Sequence, residues 1–193
     1  MNKLNHEEQL YKIFNNVNDW LKFAEAKNFG LLTLNAAIIF GLTQIEFGCN
    51  SIIEKVGFYI FTPFAILSLI PCLISLFPIV TKIESKNKDG KVRKFMKIIN
   101  KISNFIDKDK PFENIHFYGH LEGLTETEFE KDFLTKIGSE NKFTIYETEL
   151  VTQILYNSRI TSLKYKFFKI GAFIFFIGIV ASILILPIIK FLG

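Results

Sequence analysis

Towards the C-terminal end of the chain, Gln153, Asn157, Ile160 and Lys164 stand four, three and four residues apart. That spacing puts them on one face of a helix. Ser158, Thr161 and Tyr165 share the neighbouring face. Near the other end, Lys27 and Asn28 precede an uncharged run, with Asn35 two turns further on. An amide both donates and accepts, and an ammonium offers three donors. Such groups can tie helices together, line an ion path, or bind a small anion, with amides reading a base edge and Lys or Arg holding phosphate. The candidate ligand-binding residues are therefore Lys27, Asn28, Gln153, Asn157, Ser158, Lys164 and Tyr165.

Other chemistries find little support. There is no phosphate-binding Gly loop and no Cys or His cluster at a metal-site spacing. His116, His120 and Glu122 are three neighbouring potential ligands without a fourth, and His6-Glu7 lacks the second His of a zincin. No Ser-His-Asp order is compelling. No catalytic residue, metal or cofactor is assigned, and the chain does not read as an enzyme.

The elements that must position these residues follow from the distribution of charge. The 193 residues are 49% hydrophobic, with 22 Phe. That is close to an ordinary globular fraction, but three windows carry no charge: 29–45, 56–80 and 170–189. A hydrocarbon core of about 30 Å needs roughly 20 apolar helical residues. The windows predict three transmembrane helices and exclude a single soluble domain, a collagen-like chain and a disordered chain. The first window reaches only about 25 Å, so it spans with little tilt or lies buried or interfacial. Pro63, Pro71 and Pro78 predict a kinked second span, with Thr62, Ser68 and Ser75 able to satisfy the freed carbonyls. Gly171, Gly178, Ala181 and Ser182 offer the third span close helix contacts, and Pro187 and Lys190 mark its end.

Three spans put the N-terminus and segment 81–169 on one side and the C-terminus on the other. Segment 81–169 carries 17 Lys or Arg and residues 1–28 carry four, against Lys55 and Lys190 opposite. The positive-inside rule makes the richer side cytoplasmic. The expected organisation is a cytoplasmic amphipathic helix at 1–28, spans at 29–45, 56–80 and 170–189, a short outer loop at 46–55, a cytoplasmic helical region at 81–169 and an outer tail at 190–193. Residues 1–27 lack the apolar stretch and cleavage site of a signal peptide. Cys49 falls in the outer loop and Cys72 in a span, so no disulfide joins them.

In the cytoplasmic parts, Leu10, Phe14, Val17, Leu21 and Ala24 predict a helix that runs from about His6 into the first span. Residues 82–94 read as a polar bend. Val92, Phe95, Met96, Ile99, Ile102 and Phe105 then predict a basic amphipathic helix that packs in the bundle or touches anionic headgroups. Asp107–Pro111 reads as a turn and Asn114–His120 as a short β-like run. Thr125 with Glu128, and Thr144 with Glu147, are capping boxes. Gly138 closes the first of the two helices. The second, with Tyr146, Leu150, Val151, Ile154, Leu155, Ile160, Leu163 and Phe167, feeds the third span. The fold class is mainly α: an integral membrane protein with a cytoplasmic helical bundle and long helices continuous into the first and third spans. The net charge of +4 is too small to argue for duplex nucleic acid.

Three stretches together carry a resemblance. They are Ala24–Asn28 followed by Leu31–Asn35; Asn114–Thr125 running into Glu126–Glu130; and Gln153–Ile160 with Lys164–Lys169. In this order, over about Trp20 to Ile189, the chain resembles the Pycsar transmembrane effectors of bacterial antiphage defence. The resemblance implies a cytoplasmic sensor for cyclic CMP or cyclic UMP, made by a partner nucleotide cyclase. It implies further that the effector disrupts the inner membrane and that the cell dies by abortive infection. Membrane lipid and a second copy of the chain, as a homo-oligomer, are its expected partners. The alternative is a constitutive small channel or transporter subunit, which would need more polar residues deep in the spans than Asn35 and Gln44.

Overall fold

The structure, a computed structural model, describes residues 6–48, 52–77, 90–106 and 113–192. The expected bend at 82–89, the turn at 107–111 and Cys49 lie outside these. Among the described residues there are six helices: α1 (His6–Gly48), α2 (Ile52–Leu76), α3 (Gly90–Ile106), α4 (Tyr118–Leu121), α5 (Glu126–Ile137) and α6 (Ile145–Leu192). Three of them, α1, α2 and α6, are long and apolar enough to cross a membrane. In each apolar window a third or less of the residues is buried, so most of its surface faces outward, the reverse of a soluble core.

Several bounds differ from the sequence reading, because the end of a helix and the end of an apolar window are different things. Much of segment 46–55 is helical, since Glu46, Glu54 and Lys55 leave the apolar windows yet are good helix formers. Residues 90–94 belong to α3 rather than to a bend. Helix α6 runs through Pro187 to Leu192, and α2 contains Pro63 and Pro71. The Asn114–His120 run is not β-like. Asn114 Oδ1 accepts the His116 N–H at 2.8 Å and the Phe117 N–H donates to the Asn114 carbonyl at 2.9 Å. This Asx turn leads into the single helical turn of α4.

Contacts divide the chain into two compact units. Among described residues the first takes 6–24 and 113–165, and the second takes 25–48, 52–77, 90–106 and 166–192. The core of the first unit gathers Leu10, Ile13 and Val17 of α1, Ile115, Leu121 of α4, Phe129 and Phe133 of α5, and Leu150, Val151, Ile154 and Leu155 of α6. Leu10, Val17 and Ala24 of the expected α1 stripe are fully buried and are joined by Ile13, whereas Phe14 and Leu21 are half-buried. Tyr146 is exposed, because its hydroxyl meets that of Tyr11 at the surface.

Local chemistry sets the ends of α5. The Thr125 side chain accepts the Glu128 N–H, and Glu128 Oε2 accepts the Thr125 N–H at 2.8 Å. Gly138 ends the helix at φ 67°, a left-handed conformation that suits Gly. Thr144 and Glu147 repeat the box before α6, at 2.7 and 3.2 Å. The Thr125 backbone N–H, then its hydroxyl, hold the Glu128 carboxyl below its usual 4.5. A carboxyl lowered on folding contributes stability above its unfolded value and loses it as pH falls through the folded one. Protection of the first-turn α5 amides from hydrogen exchange is thus expected to be complete above about pH 4.5 and to fall below it. T125A should cost about 1 kcal/mol of local stability at neutral pH and abolish that pH dependence.

The second unit packs Leu31 of α1, Phe61, Ala65 and Cys72 of α2, and Phe175 of α6. Polar groups inside it are joined across helices. The Asn35 amide donates to the Leu31 carbonyl at 2.9 Å and to Ser68 Oγ at 3.1 Å, and Ser68 Oγ donates to the Gly171 carbonyl at 2.8 Å. Ser68 therefore bonds a carbonyl of α6 rather than one freed by a Pro in its own helix. The close approach depends on the absence of a Cβ on α6. At Gly171 one would lie 3.1 Å from Cys72 Sγ and 3.2 Å from the Ser68 carbonyl oxygen, and at Gly178 one would lie 2.5 Å from Phe64 Cβ.

Candidate ligand site

The first unit holds an open cleft of about 400 Å³. Its apolar floor is Ile13 of α1, Ile115, and Phe133 and Ile137 of α5. Its rim is polar: Gln9 of α1, Glu113, Asn114 and His116 of the turn, and Lys136 of α5. Each element is there for a local reason. Helix α1 turns Ile13 into the core and leaves Gln9 one turn earlier at the edge. The Asx turn at Asn114 buries Ile115 and exposes His116. Lys136 is one turn from Asp132 and bonds it at 2.8 Å, and Asp132 also faces His120 Nε2 at 3.7 Å.

The segment 114–124, whose first turn forms one wall of this cleft, is tied down at both ends. The Asn16 amide donates to the His116 carbonyl at 2.5 Å. The Arg159 guanidinium donates to the Glu122 and Leu124 carbonyls at 3.3 and 2.9 Å. Rings clamp the same segment: Trp20 meets Phe117, Tyr118 and Tyr165 at centroid distances of 6.3, 5.7 and 6.4 Å, and Tyr118 stacks on Tyr165 at 5.1 Å and 10°. The aromatic content of the Asn114–His120 run serves this clamp. At the far end of the unit, His6 bonds Ser139 at 2.9 Å and faces Glu147 at 3.4 Å.

The residues nominated from sequence fall in both units. Gln153, Asn157, Ser158, Lys164 and Tyr165 belong to the first, and Lys27 and Asn28 to the second. Gln153 is exposed. The half-buried Asn157 amide donates to Asn18 Oδ1 at 2.8 Å, linking α6 to α1. Ser158 Oγ is fully buried and bonds the Ile154 carbonyl one turn back at 2.8 Å. Lys164 and Tyr165 are buried, Tyr165 within the ring clamp. In the second unit Asn28 is fully buried, and the Lys27 ammonium lies 5.5 Å from the centre of the Phe168 ring, a cation–π distance.

None of the seven lines the cleft. Gln9, Asn114, His116 and Lys136 were missed because they come from three separate elements with no shared periodicity. Arg159 was missed as well. The available signal was that it is one of only two Arg in the chain; its proximity to the Glu122 and Leu124 carbonyls, about 35 residues away in the chain, is set by packing.

No curated protein matches the chain, and no solved structure does. One family model, the Pycsar effector protein domain, matches residues 9–189 of the 193. That range takes in the whole lining of the cleft and the apolar windows of α1, α2 and α6. The chain belongs to the Pycsar effector family and is a multi-pass membrane protein.

Proposed function

We propose that the chain senses a cyclic nucleotide in the bacterial cytoplasm and disrupts the inner membrane, without catalysing a reaction. The observation that carries this reading is the family match over residues 9–189. In it, the N-terminus and segment 81–169 are cytoplasmic, a partner cyclase supplies cyclic CMP or cyclic UMP on infection, and the assembled effector ends the cell before phage matures. The ligand site is the cleft of the first unit. Its volume lies within the ~300–1,000 Å³ of small-molecule sites, and its make-up of apolar floor and few polar groups suits a base with a charged ring phosphate. The floor takes the base, Gln9 and Asn114 offer groups to its edge, and the Lys136 ammonium faces the phosphate with donors beyond the one given to Asp132.

Both α1 and α6 contribute residues to each unit, and the proposed change passes along them. A ligand shifts such an equilibrium only by its differential affinity for the two states, and a swing from 1:99 to 99:1 needs about 5.5 kcal/mol. K136A is expected to weaken cyclic nucleotide binding at least about tenfold, the size of a lost charge-assisted hydrogen bond, and to remove ligand-dependent toxicity. Titration calorimetry on the detergent-solubilised chain reads the first, growth arrest the second, and carbonate extraction checks that insertion is intact. Unchanged binding and toxicity would overturn the cleft assignment.

A second reading is favoured by one observation on the α6 polar face: beside the exposed Gln153, the half-buried Asn157 amide bonds another amide, that of Asn18. A ligand on the α6 polar face could displace Asn18. N157A would then abolish binding while K136A leaves it whole. Leakage from liposomes that does not respond to added cyclic nucleotide would instead favour a constitutive channel.

A further inference from the structure

Helix α3 carries five basic residues, Lys91, Arg93, Lys94, Lys97 and Lys101, and no acidic one. Its C-terminal half is banded. Ile99 and Ser103, four apart, are buried. Ile98, Ile102 and Phe105, spaced four and three, share the next face and are 57%, 37% and 73% exposed. Lys97 and Lys101, also four apart and exposed, border that strip on its other side. Around the axis run, in order, a protein-facing band, an uncovered apolar strip and a cationic edge. This helix belongs to the same compact unit as the apolar windows of α2 and α6.

Water is a poor neighbour for three adjacent large apolar side chains, and a second protein surface would have to tolerate the lysines beside them. The headgroup layer of a bilayer accommodates both. Its acyl boundary takes apolar side chains to a depth of about 5–10 Å, and anionic headgroups attract the ammonium groups that border them. Lys stems can lie along the apolar strip and bring their charge out to phosphate. We propose that α3 lies in the headgroup layer of an anionic leaflet, with Ile98, Ile102 and Phe105 inserted and Lys97 and Lys101 on lipid phosphates. The proposal goes beyond the sensing function, because this contact requires no nucleotide.

The test uses the full-length chain carrying F105W and W20F, reconstituted without nucleotide in vesicles of phosphatidylcholine with or without phosphatidylglycerol. The introduced indole is expected to emit to the blue in phosphatidylglycerol vesicles and to be quenched by lipid brominated just below the headgroup. K97Q and K101Q should each weaken the lipid contact about fivefold at low salt, and molar salt should remove most of the phosphatidylglycerol dependence. Quenching equal in both lipids would overturn the anionic-lipid assignment. An indole that no brominated lipid quenches, whatever the protein density, would show the strip covered by protein, as by a second copy, and would overturn the placement. Since Trp20 sits in the ring clamp, the unsubstituted chain supplies a second measurement. Amide exchange across α3 is expected to slow when phosphatidylglycerol is added, and an unchanged rate would overturn the proposal.

Discussion

Replacing Phe133 by Ala is expected to destabilise the first unit by about 3–5 kcal/mol, the range for deleting a fully buried aromatic ring. Phe133 is completely buried, stacks near Phe129 at 5.9 Å and meets Phe143 and His6 edge-on at 5.4 and 6.0 Å. Its loss would leave a cavity that these rigid rings cannot close. His6, held by Ser139 and Glu147, would lose one of the two rings it packs on and keep Phe143. Phe133 also forms part of the cleft floor, so the proposed nucleotide binding should fall with stability. Hydrogen exchange on the membrane-embedded chain would read the first effect as lost protection over α5 and the first half of α6. The apolar windows should keep theirs. F133L, which restores most of the volume, should recover most of the protection. Equal protection in F133A and the unsubstituted chain would refute the expectation.

The second large effect belongs to the other unit. G178L is expected to separate α6 from α2. Even a Cβ at this position would stand 2.5 Å from Phe64 Cβ and 3.4 Å from the Phe61 ring, and a backbone-fixed Cβ cannot rotate away. Overpacking of a well-filled contact costs about 1–3 kcal/mol, and more where the clash involves atoms fixed to the backbone. Two turns away, the Ser68–Gly171 bond would be pulled apart, and Asn35 would lose the hydroxyl it donates to. Under the proposed function, the expected outcome is loss of ligand-dependent membrane damage with nucleotide binding retained, the opposite pattern to F133A. Calorimetry and dye release from vesicles, run on the same sample, separate the two. G178A should show the same pattern more weakly. Dye release unaffected by either substitution would refute the tight α2–α6 contact.

Much of the secondary structure was legible in local pattern. Uncharged windows marked the apolar stretches of α1, α2 and α6, and Thr125 with Glu128 marked the start of α5 because both partners of that box lie within one turn. Gly138 marked its end for an equally local reason. The Asn114–His120 run was misread because its aromatic content favours a strand. The side-chain carbonyl of Asn114 competes for the backbone and wins. In α1 the periodicity was right, with Leu10, Val17 and Ala24 fully buried, but the core side also takes Ile13 and leaves Phe14 and Leu21 half-buried. Period is a property of the helix, whereas the most buried azimuth depends on what packs against it.

The same distinction runs through the candidate site. The polar character of the α6 face was visible, because residues four and three apart must share a face. Which partner each amide takes was not, since the Asn157 amide bonds Asn18, 139 residues away in the chain, and only packing brings the two together. The cleft was invisible, as its lining is drawn from positions 9 to 137 and exists only once α1, the Asn114 turn and α5 have packed.

What the sequence determined by itself were the quantities governed by local chemistry and by hydrocarbon thickness: three apolar helices, two capping boxes and the basic, acid-free run of α3. The family match over residues 9–189 agrees with the resemblance carried by three short stretches. Tertiary structure alone decided that Ser68 bonds Gly171 and not its own helix, that Gly178 admits Phe64, that Arg159 holds the Glu122 and Leu124 carbonyls, and that Ile98, Ile102 and Phe105 stay uncovered. The physical reason is the same in each case. A side chain's type limits what it can pair with, but the choice among those partners depends on distances between segments far apart in the chain, which only packing sets.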